Sequence, residues 1–368
     1  MKVCVVLVNY HGAVDIAQAV MSVLIDAPDV EIVVVDNSDD AQEWRRLGSL
    51  LPPSVRRFCA PGNIGFGQAC NLAVENTLAP FIFLVNPDVR LVPGCIRALH
   101  DALVADPRLA AVSPRQFLDQ SCQWQLPPSW LPTALRSWAT ERAIREPQVA
   151  WRLGRASYAE SGRFWCSSQP VRQRALSGGA MMVRRSALLP GELLFDPRYF
   201  MYFEDTDLCM RLRQRGLHLA MVPDARAVHA WRNQPHKDGL MAASAHLYFE
   251  KFFAGDDRWM CKSRTVMLGS VSACYPFMSF PEGGGVQLPP HWRDAWLLEL
   301  SPSPLVQPAV AFMGKGQHVQ EPVDALAHFE SAPVFGRLSC LSLPYQPSSC
   351  QFFHWPSGSR VRASGASN

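Results

Sequence analysis

The chain reads as an α/β fold built on a parallel sheet, followed by a smaller β-rich appendage. Two observations predict the sheet. Residues 1–115 alternate apolar runs of strand length with segments of helix-like apolar spacing, and alternation of this kind is the pattern of βαβ units. The apolar runs are also continuous, chiefly Val, Ile, Leu and Phe, rather than alternating, as in strands buried on both faces. A third observation predicts the appendage. From about Asp256 onward prolines recur at Pro276, Pro281, Pro289, Pro290, Pro302, Pro304 and Pro308 and continue to Pro356, too often for long helices.

Taken in order, Lys2–Val8 is the first strand and Val14–Leu24 the first helix. Glu31–Asp36 is the second strand, and Gln42–Leu51 and Gln68–Leu78 carry helix spacing. Pro80–Val85 is a further strand, Pro93–Val104 a helix and Ala110–Ser113 a strand. Residues 120–170 change character, with Trp124, Trp130, Trp138, Trp151 and Trp165 accompanied by Arg136, Arg142, Arg145, Arg152 and Arg155. Pro132 is a good first-turn residue for a helix carrying Leu135 and Trp138. Such a segment either packs on its own core or lies on a membrane face. Dense patterning returns over residues 172–255, with a strand at His218–Val222 and a helix at Leu240–Phe253. In the appendage, Trp296–Leu300, Pro308–Met313 and Arg337–Leu343 read as short strands between turns, and the last dozen residues as a loose tail. A chain of 368 residues suits two domains, drawn here at 1–255 and 256–368.

Composition bounds the class. With 48% hydrophobic and 18% charged residues, the chain is core-forming rather than disordered. Thirty-five basic against 32 acidic side chains is too even a balance to predict nucleic-acid binding by bulk charge. The 11 cysteines are odd in number, with no Cys-x-x-Cys pair, which argues against a disulfide framework or a zinc site and for reduced thiols in the cytoplasm. No stretch reaches the roughly 18 apolar residues of a membrane span, and the N-terminus lacks the pattern of a signal peptide. Membrane contact is therefore expected only as a peripheral one.

In parallel α/β sheets, ligands bind beyond the carboxyl ends of the strands. Three polar clusters fall there: Asn9-Tyr10, Asp36-Asn37-Ser38 and Asn86-Pro87-Asp88. Together they suit one nucleotide-sized cleft, although each alone is also what starts a turn. Asp88 ends a buried strand, where a carboxylate holds a hard divalent cation beside a diphosphate or closes an Asx-turn. Glu204-Asp205-Thr206-Asp207 opens a helix that Gly216 ends. Acidic residues there cap amides and meet the positive end of the dipole, and the same position favours an ionised Asp205, as a general base requires. His229 is either a satisfied histidine or a nitrogen ligand to a metal shared with Asp88. Ser177-Gly178-Gly179 either brings backbone close to a ligand or forms a hairpin. Gly65-Phe66-Gly67 is not completed to a dinucleotide fingerprint, because Cys70 stands at its third glycine. Gly314-Lys315 lacks the rest of a P-loop, and no Gly-x-Ser-x-Gly elbow is present.

The motifs in order are VVLVNYHG, VVVDNSDD, PGNIGFGQACN, FLVNPDV, LSGGAMMVRR and FDPRYFMYFEDTDLCMRLRQRG, followed by His229. Over about residues 1–250 this resembles the non-processive family-2 glycosyltransferases of GT-A fold, most closely their rhamnosyltransferase-like branch. The resemblance implies a Rossmann-like mixed sheet flanked by helices. It implies that Asn9 and Asp36 hold the base and ribose of a nucleotide, and that Asn63, Gly65 and Asn71 help to build the pocket. Asn86-Pro87-Asp88 occupies the position of the family's DxD motif, with Asn in the first place, so Asp88 supplies the charge. By the same resemblance His229 completes binding of Mg²⁺ or Mn²⁺, and Asp205 is the catalytic base. The QxxRW motif of the processive synthases is absent, which implies one sugar per encounter.

The expected activity is inverting transfer from a nucleoside-diphosphate sugar, dTDP-rhamnose favoured, to a hydroxyl of a lipid-linked or cell-envelope glycan. The expected location is the cytoplasm, peripheral to the inner membrane face, with no nucleic-acid partner. Two alternatives stand beside it. One is a non-catalytic nucleotide-sugar-binding scaffold, against which Asp88, Asp205 and His229 are all present. The other is a nucleotidyltransferase, which wants a basic glycine-rich loop where this chain has Asn9-Tyr10-His11-Gly12.

Overall fold

The computed structural model describes residues 2–230, 237–254, 275–281, 284–329, 332–341 and 349–356. Trp231, the ends of two expected segments (residues 342–343 and 255) and the expected loose tail lie outside them. The chain divides into two compact units. The first comprises Met1–Gln116, Pro128–Pro132 and Ser167–Ala254, and the second Phe117–Pro127, Thr133–Cys166 and Gly255–Asn368.

The first unit opens with β1 (Val3–Asn9), α1 (Ala13–Asp26), β2 (Glu31–Asp36), α2 (Ala41–Leu50), β3 (Arg56–Cys59) and α3 (Phe66–Glu75). It continues through β4 (Phe81–Val85), β5 (Val89–Leu91), α4 (Cys95–Ala105) and β6 (Leu109–Phe117). After α5 (Ala134–Ala143) and α6 (Pro147–Trp165), which belong to the second unit, come β7 (Val171–Gln173), β8 (Ala180–Arg184), α7 (Glu204–Gln214), β9 (His218–His229) and α8 (Lys237–Phe253). The sheet order is β3-β2-β1-β4-β8-β6-β9-β5, with β7 also on β9.

The apolar runs are buried on both faces, as their continuity requires. Val3, Val5 and Leu7 of β1 pack with α1 and α4 side chains such as Ile16, Val20, Ile96 and Leu99. The intervening Cys4, Val6 and Val8 pack with Ala69 and Ala73 of α3 and Leu208 and Leu212 of α7. Strands β3, β2, β1 and β4 are mutually parallel. The remainder corrects the wholly parallel sheet read from residues 1–115: β8 runs antiparallel to both β4 and β6, and β9 antiparallel to β5 and β7. The reason is connectivity. The regular strand–helix alternation ends near residue 115, and β7, β8 and β9, which follow it, enter the sheet in these antiparallel pairings. The mixed sheet implied by the family resemblance is the one observed.

The second unit holds α5, α6, β10 (Met278–Ser279), β11 (Gly285–Gln287), β12 (Trp296–Ser301), β13 (Val310–Gly314), β14 (His318–Gln320), α9 (Val323–Ala327), β15 (Val334–Cys340) and β16 (Gln351–Trp355). Its main sheet has the order β10-β16-β15-β12-β13, with β11 and β14 a separate pair. The tryptophan- and arginine-bearing residues 133–166, placed in residues 1–255 by sequence, group with these strands. The cause is the buried face of α6. Tyr158 bonds Ser339 of β15 at 3.1 Å, and Trp165 Nε1 donates to the Leu126 carbonyl at 3.0 Å. Arg337 and Glu299 face each other across β15 and β12, joined through two 2.6 Å hydrogen bonds and nearly inaccessible. Among the described residues no disulfide is formed.

Candidate active site

The parallel strands end on polar residues in register. Asn9 of β1 is the pairing partner of Asp36 of β2, so the two side chains meet at the carboxyl edge of the sheet. Asn9 Nδ2 donates to Asp36 Oδ1 at 3.0 Å and to Glu43 Oε1 at 3.2 Å, while its Oδ1 accepts from the Gly12 N–H at 3.0 Å. Glu43 also accepts from the Ala13 N–H at 2.7 Å. Asp36 Oδ2 is buried and has no protein partner, leaving an acceptor for a ligand donor. Asn37 reaches across to the loop before α3: its Nδ2 donates to Asn63 Oδ1 at 2.9 Å and its Oδ1 accepts from the Ile64 N–H at 2.9 Å.

Gly65 and Asn71 bind protein rather than open space. Gly65 has φ +83°, and a Cβ there would stand 2.3 Å from the Phe200 carbonyl oxygen, so only glycine fits. The Asn71 amide accepts from the Phe195 N–H at 2.9 Å and donates to the Phe195 carbonyl at 2.8 Å. These two residues, expected in the nucleotide pocket, hold the segment 195–200 against α3.

The second group forms where β4, β8, β5 and β9 come together. Asn86 follows β4, and its N–H donates to the Gly179 carbonyl at 2.8 Å. Val89 pairs with His229, which sets Asp88 beside the imidazole: Asp88 Oδ1 lies 3.3 Å from His229 Nε2. Gln116 Oε1 sits 2.7 Å from His229 Nδ1, orienting the ring. With the proton on Nδ1, the Nε2 lone pair faces the carboxylate. Ligands at right angles on an ion with bonds of about 2.1 Å stand about 3 Å apart, close to the spacing seen. Among the described residues no group of three or more His, Cys, Asp or Glu converges. Two protein ligands suit Mg²⁺ or Mn²⁺, which take their remaining oxygens from phosphate and water. A Cβ on Gly179 would lie 3.0 Å from His229 Cε1 and 3.2 Å from Asn86 Nδ2, so the smallness of Gly179 lets these side chains close up.

Asp205 enters from α7. Tyr202 and Phe203 both carry left-handed backbone, with φ of 69° and 66°. Such conformations are costly for bulky residues and concentrate at functional sites. They turn the chain into α7 so that Asp205 Oδ2 accepts from the Gly178 N–H at 2.8 Å. Its Oδ1 accepts from the Thr206 N–H at 2.6 Å and the Thr206 hydroxyl at 3.2 Å. Gly178 is thus close to a protein carboxylate. Burial pushes the Asp205 carboxyl above its usual range, against the opposing pull of Gly178 and Thr206. The ionising influence expected from the helix start alone is outweighed. The neighbouring Glu204 is buried, with Oε2 lacking any protein partner. Asp207 turns the other way, to Arg211 at 2.7 Å and to Lys251, and is structural.

Gly178 and Gly179 link the two groups, since they touch Asp205 on one side and Asn86 and His229 on the other. Sequence reading missed Gln116, Glu43 and the Phe200 carbonyl. Gln116 carries no motif, Glu43 sits in an ordinary amphipathic helix, and Phe200 lies within the FDPRYF block but acts through its backbone carbonyl, so only tertiary contacts mark the three.

The chain matches the family model described as "Glycosyltransferase like family 2" over residues 2–261. It is 30% identical over 237 residues to N-acetylglucosaminyl-diphospho-decaprenol L-rhamnosyltransferase of Mycobacterium tuberculosis, covering 60% of this chain and 74% of that protein. It is 33% identical over 106 residues to rhamnosyltransferase WbbL of Escherichia coli K12, 29% of this chain and 31% of that one. Among solved structures, GalNAc-T7 with UDP, GalNAc and Mn²⁺ aligns with TM-score 0.49 and 17% identity, covering 70% of this chain and 50% of that one. The mannosyltransferase PcManGT of Pyrobaculum calidifontis, with GDP-Man and Mn²⁺, aligns with TM-score 0.43 and 14% identity over 73% of this chain and 76% of that one. A family match running from β1 past α8 takes in every strand of the first unit's mixed sheet, and this chain belongs to the family-2 glycosyltransferases of GT-A fold.

Proposed function

We propose that the protein moves one sugar, rhamnose favoured, from a nucleoside-diphosphate donor to an acceptor hydroxyl on a lipid-linked or cell-envelope glycan, with inversion. The observation that carries this reading is the convergence of Asp88, His229 and Asp205 on the Gly178-Gly179 turn. Asp36 and Asn63 face the nucleoside, the free Oδ2 of Asp36 accepting from it, while Asn9, whose amide is taken up by Asp36, Glu43 and Gly12, holds Asp36 in place. Gly65 and Asn71 act on that pocket by holding its wall. Asn86 and the two glycines keep the diphosphate end narrow.

Asp88 and His229 would hold Mg²⁺ or Mn²⁺. The bound ion supplies charge neutralisation at the leaving diphosphate. Asp205 takes the proton of the acceptor hydroxyl as its oxygen attacks the anomeric carbon from the face opposite the leaving group. Gly178 and Thr206 aim the carboxylate for that transfer. A base of this kind contributes typically about 10²–10⁴-fold in rate.

The names of the rhamnosyltransferase relatives support rhamnose as the sugar moved, with dTDP-rhamnose the favoured donor, and the decaprenol-linked acceptor named for the mycobacterial relative supports a lipid-linked one. Work at the inner membrane face, without nucleic acid, follows from such an acceptor. No helix among the described residues is long and apolar enough to cross a membrane, and the candidate contact is α6. Its outward side carries Trp151, 47% exposed, together with exposed Arg152, Arg155 and Arg163.

The test is calorimetric titration of nucleotide sugars with and without Mn²⁺, followed by transfer assays with the donor found. Asp205→Asn should bind that donor as the parent does and transfer it about 10²–10⁴-fold more slowly. Near-parental turnover would remove Asp205 from the reaction. Absence of metal-dependent binding to every donor would favour the non-catalytic scaffold.

A further inference from the structure

We infer that Glu204 and Asp205 share a single proton, kept on Glu204, so that Glu204 is a positioning residue fixing the one negative charge of the pair on Asp205. The inference rests on Asp205 being the base.

The two carboxyls are adjacent at the start of α7 and have opposite surroundings. Asp205 receives three donors: the Gly178 N–H, the Thr206 N–H and the Thr206 hydroxyl. Glu204 is only 6% exposed and its Oε2 has no protein partner. The titratable groups that face Glu204 are Asp205 on its own helix, Cys70 on α3 and Tyr202 in the turn before it. None is basic. The backbone of α3 presses on it as well, since a Cβ on Gly67 would lie 3.5 Å from Glu204 Cβ. Asp207, one residue beyond Thr206, shows the contrast, because it is equally buried but paired with Arg211 and Lys251.

Two buried carboxylates with no cation between them cannot both ionise cheaply. Where environments differ, the better-solvated group keeps the charge and the other keeps the proton. The donors on Asp205 assign it the charge, and the bare oxygen of Glu204 takes the proton. Burial, and then the charge on Asp205, push the Glu204 carboxyl well above its ordinary range. The functional consequence is a site carrying one negative charge instead of two toward an anionic donor. At alkaline pH Glu204 loses the proton to solvent and the second charge appears.

The test is carbon-13 NMR of the full chain labelled at the glutamate carboxyl carbons, titrated from pH 5 to pH 9.5. One carboxyl should titrate with a midpoint above 7 and be missing from Glu204→Gln. In Asp205→Asn the same signal should titrate at least about half a unit lower, because the neighbouring charge is gone. Thymidine diphosphate with Mn²⁺ serves as the binding probe: its affinity for the parent should fall severalfold between pH 7 and pH 9.5 relative to Glu204→Gln. A Glu204 signal, identified by its loss in Glu204→Gln and so distinguished from the also raised Glu141, that titrates below pH 6, or a midpoint unmoved in Asp205→Asn, would overturn the shared proton. Neither readout needs turnover, so failure of Asp205 as a base would be seen separately in the transfer assay.

Discussion

Replacing Gly179 by alanine tests how tightly the diphosphate end of the site is built. The added Cβ would stand 3.0 Å from His229 Cε1, 3.2 Å from Asn86 Nδ2 and 3.4 Å from Ser177 Oγ. Carbon contacts settle at about 3.5–4.0 Å, so the imidazole must retreat by roughly 0.5 Å. It is not free to do so without consequence. Its Nδ1 is held at 2.7 Å by Gln116, and its backbone is paired with Val89. Any pivot therefore changes the 3.3 Å approach of Nε2 to Asp88. Overpacking of this degree costs typically about 1–3 kcal/mol, which lowers the melting temperature by several degrees at roughly 2–4 °C per kcal/mol. Disturbing the support of a metal ligand typically costs about 10–100-fold in affinity. Gly179→Ala should thus melt several degrees lower and bind donor with Mn²⁺ at least about tenfold more weakly. Thermal unfolding and calorimetry read the two effects. Parental melting together with parental metal-dependent affinity would refute the packing described for His229.

Two further outcomes are expected. Burial alone would raise the Glu192 carboxyl, but hydrogen bonds from Arg215, the Leu189 N–H and Arg211 outweigh it and hold the group down at about 2, against an ordinary 4.5. A depressed acid stabilises the fold above its unfolded value and loses that contribution as pH falls from 4.5 toward 2. Glu192→Gln should flatten that acid limb in denaturant titrations, with on the order of 2 kcal/mol at stake after solvent screening; an unchanged slope would count against the cluster. On α6, reversing Arg152 and Arg155 to glutamate should reduce association with vesicles containing anionic lipid by roughly tenfold or more, at about 1 kcal/mol per basic residue. Equal sedimentation of parent and variant with those vesicles would eliminate α6 as the membrane contact.

Much of the candidate site was legible before the fold. Asn9, Asp36, Asn86 and Asp88 stand out because polar residues that end buried apolar strands must lie at the sheet edge. Asp205 and the two glycines stand out through motif resemblance, and the structure gives that motif a local cause: Gly178 needs to be small to meet Asp205. What was not legible is the division of labour. Gly65 and Asn71 belong to a ligand-binding block by pattern, yet their contacts go to Phe200 and Phe195. Gln116 orients His229 from 113 residues away, and no local pattern announces it.

By itself the sequence determined three of the four parallel strands, β1, β2 and β4, because a strand buried on both faces must be apolar at every position and a parallel neighbour needs a connecting helix; the edge strand β3, polar and partly exposed, was not legible. It also determined the family, since six ordered blocks are specific where one is not. Only the tertiary structure decided the antiparallel half, the grouping of residues 133–166 with the C-terminal strands, and the electrostatics of Glu204 and Asp205. Each depends on partners distant in the chain. Burial and hydrogen-bond donors set where a proton rests, and both are properties of the packed molecule rather than of any segment of it.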